Sequence, residues 1–130
     1  MKTLLEVFAD TDHGKISARE VSHGIREILK TADIPVRVLA NGLGISETQL
    51  NRMASRKNGF YRAQTLAPFH RVACLLKEAR QSLTEKGMAF WLNHPHPYLN
   101  NLPPIMCLRS DQELDRVITQ LGAMRYGFPT

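Results

Sequence analysis

The sequence lacks features that are typical of secreted, membrane and nucleotide-binding proteins. Only two of its 130 residues are cysteine, too few for the disulfide framework of a small secreted domain. No apolar run approaches the roughly 18 residues of a membrane span, and Glu6 and Asp10 interrupt the N-terminal apolar stretch, which argues against a signal peptide. No glycine-rich phosphate loop is present. These absences predict a reduced, cytoplasmic protein without a membrane segment.

The charge of the chain is concentrated in its middle third. The chain is 43% apolar and 22% charged, which is typical of one globular domain, and its formal net charge is +5. Residues 37–80 hold 8 basic and 2 acidic side chains, whereas the flanking parts are close to neutral. Residues 51–62 contain four basic side chains and no acid. Such a cluster attracts phosphate, although a solvated basic face is the alternative.

Hydrophobic periodicity predicts helices throughout the chain. Three capping-box pairs mark helix starts: Ser17–Glu20, Ser46–Gln49 and Ser110–Glu113. No convincing alternating strand is present, so the predicted fold class is all-α, a compact helical bundle. We divide the chain into an N-terminal helical extension (1–32), a compact helical module (33–82) and a second small module with a C-terminal tail (83–130). Each module is small, so we expect them to share one core.

The stretch from Val36 to Ser55 has the spacing of a helix-turn-helix. Ala40 is a small residue for the contact between the two helices, Gly44 suits the tight turn, and Ser46 caps the second helix. The apolar anchors that lock the helices together are Leu39, Leu43, Ile45, Leu50 and Met53. Together with the basic run that follows, this pattern predicts DNA binding. A purely structural helical hairpin is the alternative.

The second helix and the segment after it supply the candidate DNA contacts. The candidates for base edges are Glu47, Thr48, Gln49, Asn51 and Arg52. Arg56, Lys57 and Arg62 are the candidates for phosphate contacts, which fix register without reading sequence. Two of the base candidates could instead serve the helix itself. The side chain of Gln49 could be occupied in the capping box, and Glu47 could simply offset the helix dipole.

Two segments resemble a known family. Residues 33–80 resemble the Xre class of small bacterial helix-turn-helix proteins, and residues 90–108, FWLNHPHPYLNNLPPIMCL, resemble the toxin-binding domain of the Xre/MbcA/ParS antitoxins. The residues that keep the family's spacing are Trp91, Leu92, Pro95, Leu99, Pro104 and Leu108. The stretch from Leu114 to Gly127 resembles the family's last helix, with its closing aromatic-glycine pair.

The sequence also departs from the family pattern. His96 stands where the family usually has asparagine, and Asn100 and Asn101 replace the glycines of a turn. Because asparagine tolerates positive φ better than most residues, we expect this turn to survive. Gln112 and Glu113 lie where a glycine is usual before the last helix. These departures concern partner specificity more than the fold.

The resemblance implies an antitoxin of a type II toxin–antitoxin system. It implies a binding protein, not an enzyme, that inhibits a RES-domain, NAD-degrading toxin and autoregulates its operon by binding double-stranded operator DNA. The toxin-binding residues it implies are Trp91, Leu99, Arg125, Tyr126, Gly127 and Phe128. The chain itself then needs no cofactor. The alternative is a stand-alone helix-turn-helix transcriptional regulator whose C-terminal half only dimerises or binds another partner.

Oligomeric state and metal binding complete the predictions. A short recognition helix reads few base pairs, so we predict a homodimer, with a stripe of Leu114, Ile118 and Leu121 as candidate surface or, equally, as monomer core. The segment FADTDHGKISARE is out of register for a calcium loop. His94 and His96 lack a recognised zinc spacing. We therefore predict no metal site.

Overall fold

The computed structural model describes Phe8 and residues 15–125. Six helices are present in this part of the chain: α1 (Ala18–Ala32), α2 (Val36–Leu43), α3 (Glu47–Ser55), α4 (Ala67–Arg80), α5 (Glu85–Asn93) and α6 (Asp111–Arg125). Short 3-10 turns cover Ala63–Leu66, Pro97–Leu99 and Pro104–Met106. The all-α prediction is confirmed. The structure adds one two-stranded antiparallel ribbon that the sequence did not indicate, β1 (Lys15–Ser17) paired with β2 (Phe60–Arg62).

Side-chain caps start four of the helices, three of them at the capping-box pairs that the sequence predicts. In each case a hydroxyl oxygen accepts a hydrogen bond from the backbone N–H three residues later. The pairs are Ser17 with Glu20 (3.2 Å), Ser46 with Gln49 (3.0 Å), Thr84 with Gly87 (3.1 Å) and Ser110 with Glu113 (3.2 Å). The Glu113 carboxylate also accepts from the backbone N–H of Arg109 at 2.8 Å. Local chemistry therefore fixes these helix starts.

All six helices contribute buried side chains to one hydrophobic cluster. α1 packs against α3 and α5, α4 packs against α6, and α2 packs against the Pro104–Met106 turn. The cluster runs across residues 32 and 82, where we place the boundaries of the three parts of the chain, so those parts share a core. The division into three parts stays a prediction.

Two turns that the sequence predicts have backbone with positive φ. Gly44 ends α2 at φ 77°, and Asn100 and Asn101 follow the Pro97–Leu99 turn at φ 57° and 62°. The backbone N–H of Asn101 donates to the carbonyl of His96 at 2.9 Å, which closes this loop. The expectation that asparagine can replace glycine here is confirmed. Over the described ranges, no helix combines the length and the apolarity needed to cross a bilayer.

Candidate functional site

α2 and α3 form two helices joined by a tight turn at Gly44. The left-handed Gly44 reverses the chain, and the N–H of Ile45 donates to the carbonyl of Ala40 at 3.0 Å. The anchors Leu39, Leu43, Leu50 and Met53 are buried, and Ile45 is half-buried against them. α1 supports α3 from behind, where the Ser22 hydroxyl donates to the carbonyl of Ala54. α3 is thus held with its other side turned to solvent.

Every predicted DNA contact is exposed on this solvent side or in the segment after it. These residues are Glu47, Thr48, Gln49, Asn51, Arg52, Arg56, Lys57 and Arg62. The cap at Ser46 uses the backbone N–H of Gln49, so it leaves the side-chain amide of Gln49 out of the capping bond. Arg56 is more engaged than predicted, because its Nε donates to the carbonyl of Asn58 at 2.8 Å and its guanidinium lies 4.9 Å from the centroid of the Tyr61 ring.

A close backbone approach joins the α2–α3 hairpin to the C-terminal part of the chain. Gly42, on the buried side of α2, faces the carbonyl of Ile105 in the Pro104–Met106 turn. A Cβ at position 42 would lie only 2.1 Å from that carbonyl oxygen. Glycine is therefore required here by space, not by φ.

Two arginines at the surface strengthen this junction between α2 and the C-terminal part of the chain. The Arg109 side chain donates to the backbone carbonyl of Asn41 at 3.3 Å and to its side-chain oxygen at 3.0 Å. Arg71 of α4 donates to the backbone carbonyls of Leu108 (2.8 Å) and Arg109 (3.1 Å). Arg71 also lies 3.7 Å from the carboxylate of Asp111. The segment before α6 is thereby fixed to α2 and α4.

The structure separates neighbouring apolar residues of the 90–102 segment into core and surface. Trp91 and Leu99, both predicted toxin contacts, are only 4% and 2% exposed and lie in the core. By contrast, Phe90 is 69% exposed, Tyr98 58% and Leu102 43%. The signal that could have found Phe90 is helical position: Met88, Trp91 and Leu92 form the buried face of α5, and Phe90 lies off that face.

Of the exposed apolar residues, Phe90 borders a groove. Phe90 stacks on His94 with ring centroids 5.1 Å apart, and His94 meets His96 edge-on at 5.7 Å. The His96 backbone N–H donates to the carbonyl of Leu102 at 3.2 Å, which brings Leu102 to this end of the domain. An open groove of about 590 Å³ lies between α5 and the end of α1, lined by Asp33, Lys86, Ala89, Phe90, Asn93 and His94.

The histidine pair shows no metal-binding arrangement. In the described part of the chain, no three His, Cys, Asp or Glu side chains are grouped so that they could hold a metal ion. The Nε2 atom of His96 and the Nε1 atom of Trp91 are both buried without a hydrogen-bond partner. Burial lowers the pKa of His96, against the opposing effect of a hydrogen bond to the backbone of Trp91. His96 also packs against Trp91, with ring centroids 6.0 Å apart, which favours a structural role.

The two cysteines lie in environments that keep their thiols protonated. Cys74 Sγ is 3.5 Å from Nε2 of His70, the spacing of a cysteine–histidine pair. Burial nevertheless raises the pKa of the Cys74 thiol, and it raises that of Cys107 in the same way. A nucleophilic thiolate requires the opposite shift, so this geometry favours packing over catalysis.

The predicted C-terminal tail and calcium-loop segment are only partly described, whereas the predicted dimer stripe is described completely. Arg125 is the last residue of α6, whereas Tyr126, Gly127 and Phe128 lie outside the described residues. Residues 9–14 of the calcium-loop segment also lie outside them. The proposed dimer stripe is not free: Leu114 and Leu121 are buried in the monomer core and Ile118 packs against it. A dimer would have to form elsewhere.

Comparison with known proteins agrees with the resemblance found in the sequence. Residues 83–127 match the family described as the antitoxin Xre/MbcA/ParS C-terminal toxin-binding domain. The fold is similar to a chain of the crystal structure of the M. tuberculosis MbcT-MbcA toxin-antitoxin complex, with a TM-score of 0.60 and 15% sequence identity. That alignment covers 84% of this chain and 96% of the other. No curated protein matches the sequence significantly.

Proposed function

Through residues 83–127 this chain belongs to the Xre/MbcA/ParS family of antitoxins, and on that premise we propose that it binds and inhibits a cognate RES-domain, NAD-degrading toxin. We also propose that the α2–α3 hairpin is a helix-turn-helix that binds double-stranded operator DNA and autoregulates the operon. The match of residues 83–127 to a toxin-binding domain carries the first proposal. On this reading the chain is not an enzyme, needs no cofactor and acts in the cytoplasm, where the operator is.

The exposed apolar side chains support a specific toxin-binding surface. Phe90, Tyr98 and Leu102 offer contact area within the matched domain, and aromatic side chains are frequent hot spots of protein interfaces. Trp91 and Leu99 lie beneath this surface and support it from the core. We propose in addition that the tail from Arg125 to Phe128 inserts into the toxin's active-site cleft, as the family resemblance implies.

The toxin proposal is tested by co-expression with the RES-domain protein encoded next to this gene. Phe90→Ala combined with Tyr98→Ala should weaken protection of the cells, and deletion of residues 125–130 should abolish it. Phe60→Ala is the matched control, because Phe60 is a similarly exposed phenylalanine outside the matched domain. Full protection by both altered forms would contradict the proposed surfaces. A neighbouring gene without a RES domain would contradict the proposed partner.

The exposed polar side of α3 supports the DNA proposal. α3 begins at a capped N-terminus, and five side chains that can read base edges point to solvent from its first two turns. Replacing Asn51 and Arg52 by alanine should reduce the preference for DNA from upstream of this gene by about 1–3 kcal/mol per lost base contact. Replacing Lys57 should instead weaken binding to all duplexes equally. A wild-type protein that binds no upstream duplex at low salt, alone or with its toxin, would refute this proposal.

We propose that the DNA-binding form is a homodimer. α3 has only nine residues, so one copy reads few base pairs, and two copies on an inverted repeat would gain both affinity and specificity. The half-site spacing is then one helical turn of DNA or a multiple of it. Light scattering on the protein–DNA complex tests this directly: a single copy per operator would rule the dimer out.

A further inference from the structure

The β1–β2 ribbon presents two opposite faces. The strands pair antiparallel in the register Lys15 with Arg62, Ile16 with Tyr61 and Ser17 with Phe60. Side chains alternate along a strand, so directly paired residues share a face. Ile16 is buried and Tyr61 half-buried, which makes theirs the inner face. Lys15, Arg62 and Phe60 are exposed on the outer face, and Phe60 is 65% exposed.

The outer face of the ribbon carries charge that the described part of the chain leaves unpaired. Lys15 and Arg62 are directly opposite each other, and like charges at such positions destabilise a strand pair. Neither forms an ion pair with a described carboxylate, and no acidic residue occurs between Glu47 and Glu78. An anion bound across the two strands would relieve this repulsion. An exposed phenylalanine beside two cations adds an apolar contact to the same strip.

The ribbon is fixed directly beside the C-terminal end of α3. The chain leaves α3 at Arg56 in an extended conformation and reaches β2 only four residues later. The backbone N–H of Ala18 donates to the carbonyl of Gly59 at 2.9 Å, which ties this connection to the start of α1. The Arg56 side chain holds it from within, on the Asn58 carbonyl and the Tyr61 ring. These contacts therefore hold the ribbon next to the C-terminal end of α3.

We propose that Lys15, Arg62 and Phe60 form a contact strip for the sugar-phosphate backbone of duplex DNA, beside the groove that α3 enters. The inference rests on the proposed DNA binding and adds a site to it. The two cations bind phosphates, and the Phe60 ring packs on deoxyribose. Because the strip reads no base edge, it adds affinity and register without adding sequence preference. Arg56 is then a positioning residue for the strip.

The test measures DNA binding by fluorescence anisotropy over a range of salt concentrations. The probes are duplexes tiling the DNA immediately upstream of the gene and a scrambled duplex of equal length. Lys15→Ala with Arg62→Ala should weaken binding to both probes by a similar factor, roughly tenfold, and flatten the slope of log affinity against log salt by about 1.8. Phe60→Ala should weaken binding to both without changing that slope, because it removes no charge.

Matched controls separate the strip from general charge effects. Lys77→Ala with Arg80→Ala removes one lysine and one arginine from exposed positions on α4, and Phe90→Ala removes an exposed phenylalanine outside the strip. Both should bind DNA like the wild type. Lys15→Arg with Arg62→Lys keeps both charges and should keep the wild-type slope, which shows that the two charges and not the identities of the side chains set it.

The possible outcomes distinguish the contact strip from the proposed DNA binding by the α2–α3 hairpin. If the wild type binds DNA and the Asn51/Arg52 variant loses sequence preference, while the Lys15/Arg62 variant keeps the control's slope, the strip alone is wrong. If the wild type binds no duplex at low salt, both the contact strip and the DNA-binding proposal are wrong. Equal binding of an RNA duplex, with equal loss in the Lys15/Arg62 variant, would overturn the assignment to DNA.

Discussion

Two exposed surfaces differ in almost every physical respect: that of α3, and the Phe90 surface, which comprises Phe90, Tyr98 and Leu102. α3 presents polar and charged side chains from a capped helix, and its apolar residues Leu50 and Met53 point inwards. The Phe90 surface presents aromatic and aliphatic side chains, and it is built from a helix end, a 3-10 turn and a loop with two left-handed asparagines. The first surface suits a strongly charged, hydrated partner, and the second suits a partner that buries apolar area.

This difference explains why one surface is easier to find in a sequence. A polar residue on an amphipathic helix is exposed almost by definition, so the pattern of α3 identifies its outer side. An apolar residue can lie on either side. Phe90 and Trp91 are neighbours with similar chemistry, yet one is 69% exposed and the other 4%. Four predictions test how far the two surfaces are separate, from the largest expected effect to the smallest.

The neighbouring aromatics Trp91 and Phe90 should have opposite roles. Trp91→Ala empties a core position and should lower the free energy of unfolding by about 3–5 kcal/mol. Phe90→Ala should change stability by less than about 0.5 kcal/mol but lower toxin affinity by about 2 kcal/mol. Urea denaturation and calorimetric titration with the toxin measure the two effects. Equal losses of stability in both variants would mean that the distinction between core and surface is wrong.

The junction at Gly42 should be sensitive to a single methyl group. Gly42→Ala forces a Cβ against the Ile105 carbonyl, and we expect a loss of about 3 kcal/mol in the free energy of unfolding. Gly122→Ala in α6 is the control, because a Cβ there meets no described atom within 4 Å. It should be neutral or stabilise the protein by up to about 1 kcal/mol. Denaturant unfolding of both proteins tests this, and an unaffected Gly42→Ala variant would contradict the close approach.

The helix caps should have equal structural but different functional effects. Ser46→Ala and Thr84→Ala each remove one capping hydrogen bond, so each should cost about 1 kcal/mol of stability. Ser46 starts α3, and its loss should also weaken DNA binding. Thr84 starts α5, and its loss should weaken toxin binding instead. Hydrogen exchange of the first turns, combined with both binding assays, checks the prediction; an equal effect of both variants on DNA binding would speak against separate surfaces.

His96 should make the toxin-binding domain slightly less stable in acid. Its pKa is lowered in the folded protein, so the folded state takes up its proton less readily than the unfolded chain, where the pKa is about 6.5. Its contribution to stability is therefore complete above that value and declines as the pH falls through it towards the lowered folded value. Urea midpoints of the wild type and His96→Gln, compared at about pH 7.5 and pH 5, should diverge in acid. A constant difference would exclude this coupling.

The local parts of the fold could be predicted because short-range chemistry determines them. Ser17, Ser46, Thr84 and Ser110 all cap helices at the positions where a hydroxyl precedes a helical pattern. The ribbon could not be predicted in this way. Its strands have three residues each, too few to show alternation, and they pair Lys15 with Arg62 across the whole of α1, α2 and α3.

The candidate sites also differ in whether local sequence or long-range packing determines them. The exposure of the α3 side chains follows from helical periodicity, whereas the burial of Trp91 and Leu99 depends on how α5 and the Pro97–Leu99 turn dock onto the rest of the chain. The role of Arg56 within its own loop depends on the ring of Tyr61, whose strand is positioned by its pairing with the distant β1. Sequence patterns identify the segments, but docking decides which side chains of an apolar segment remain available.

The close approach of α2 to the Pro104–Met106 turn limits how such proteins can be recombined. A recombined protein could take the part with the α2–α3 hairpin from another chain and keep the matched C-terminal domain. Any incoming segment with a side chain larger than hydrogen at position 42 would meet the carbonyl of Ile105. It would also need an acceptor for Arg109 where Asn41 stands now. The two parts are therefore interchangeable only between chains that share this junction.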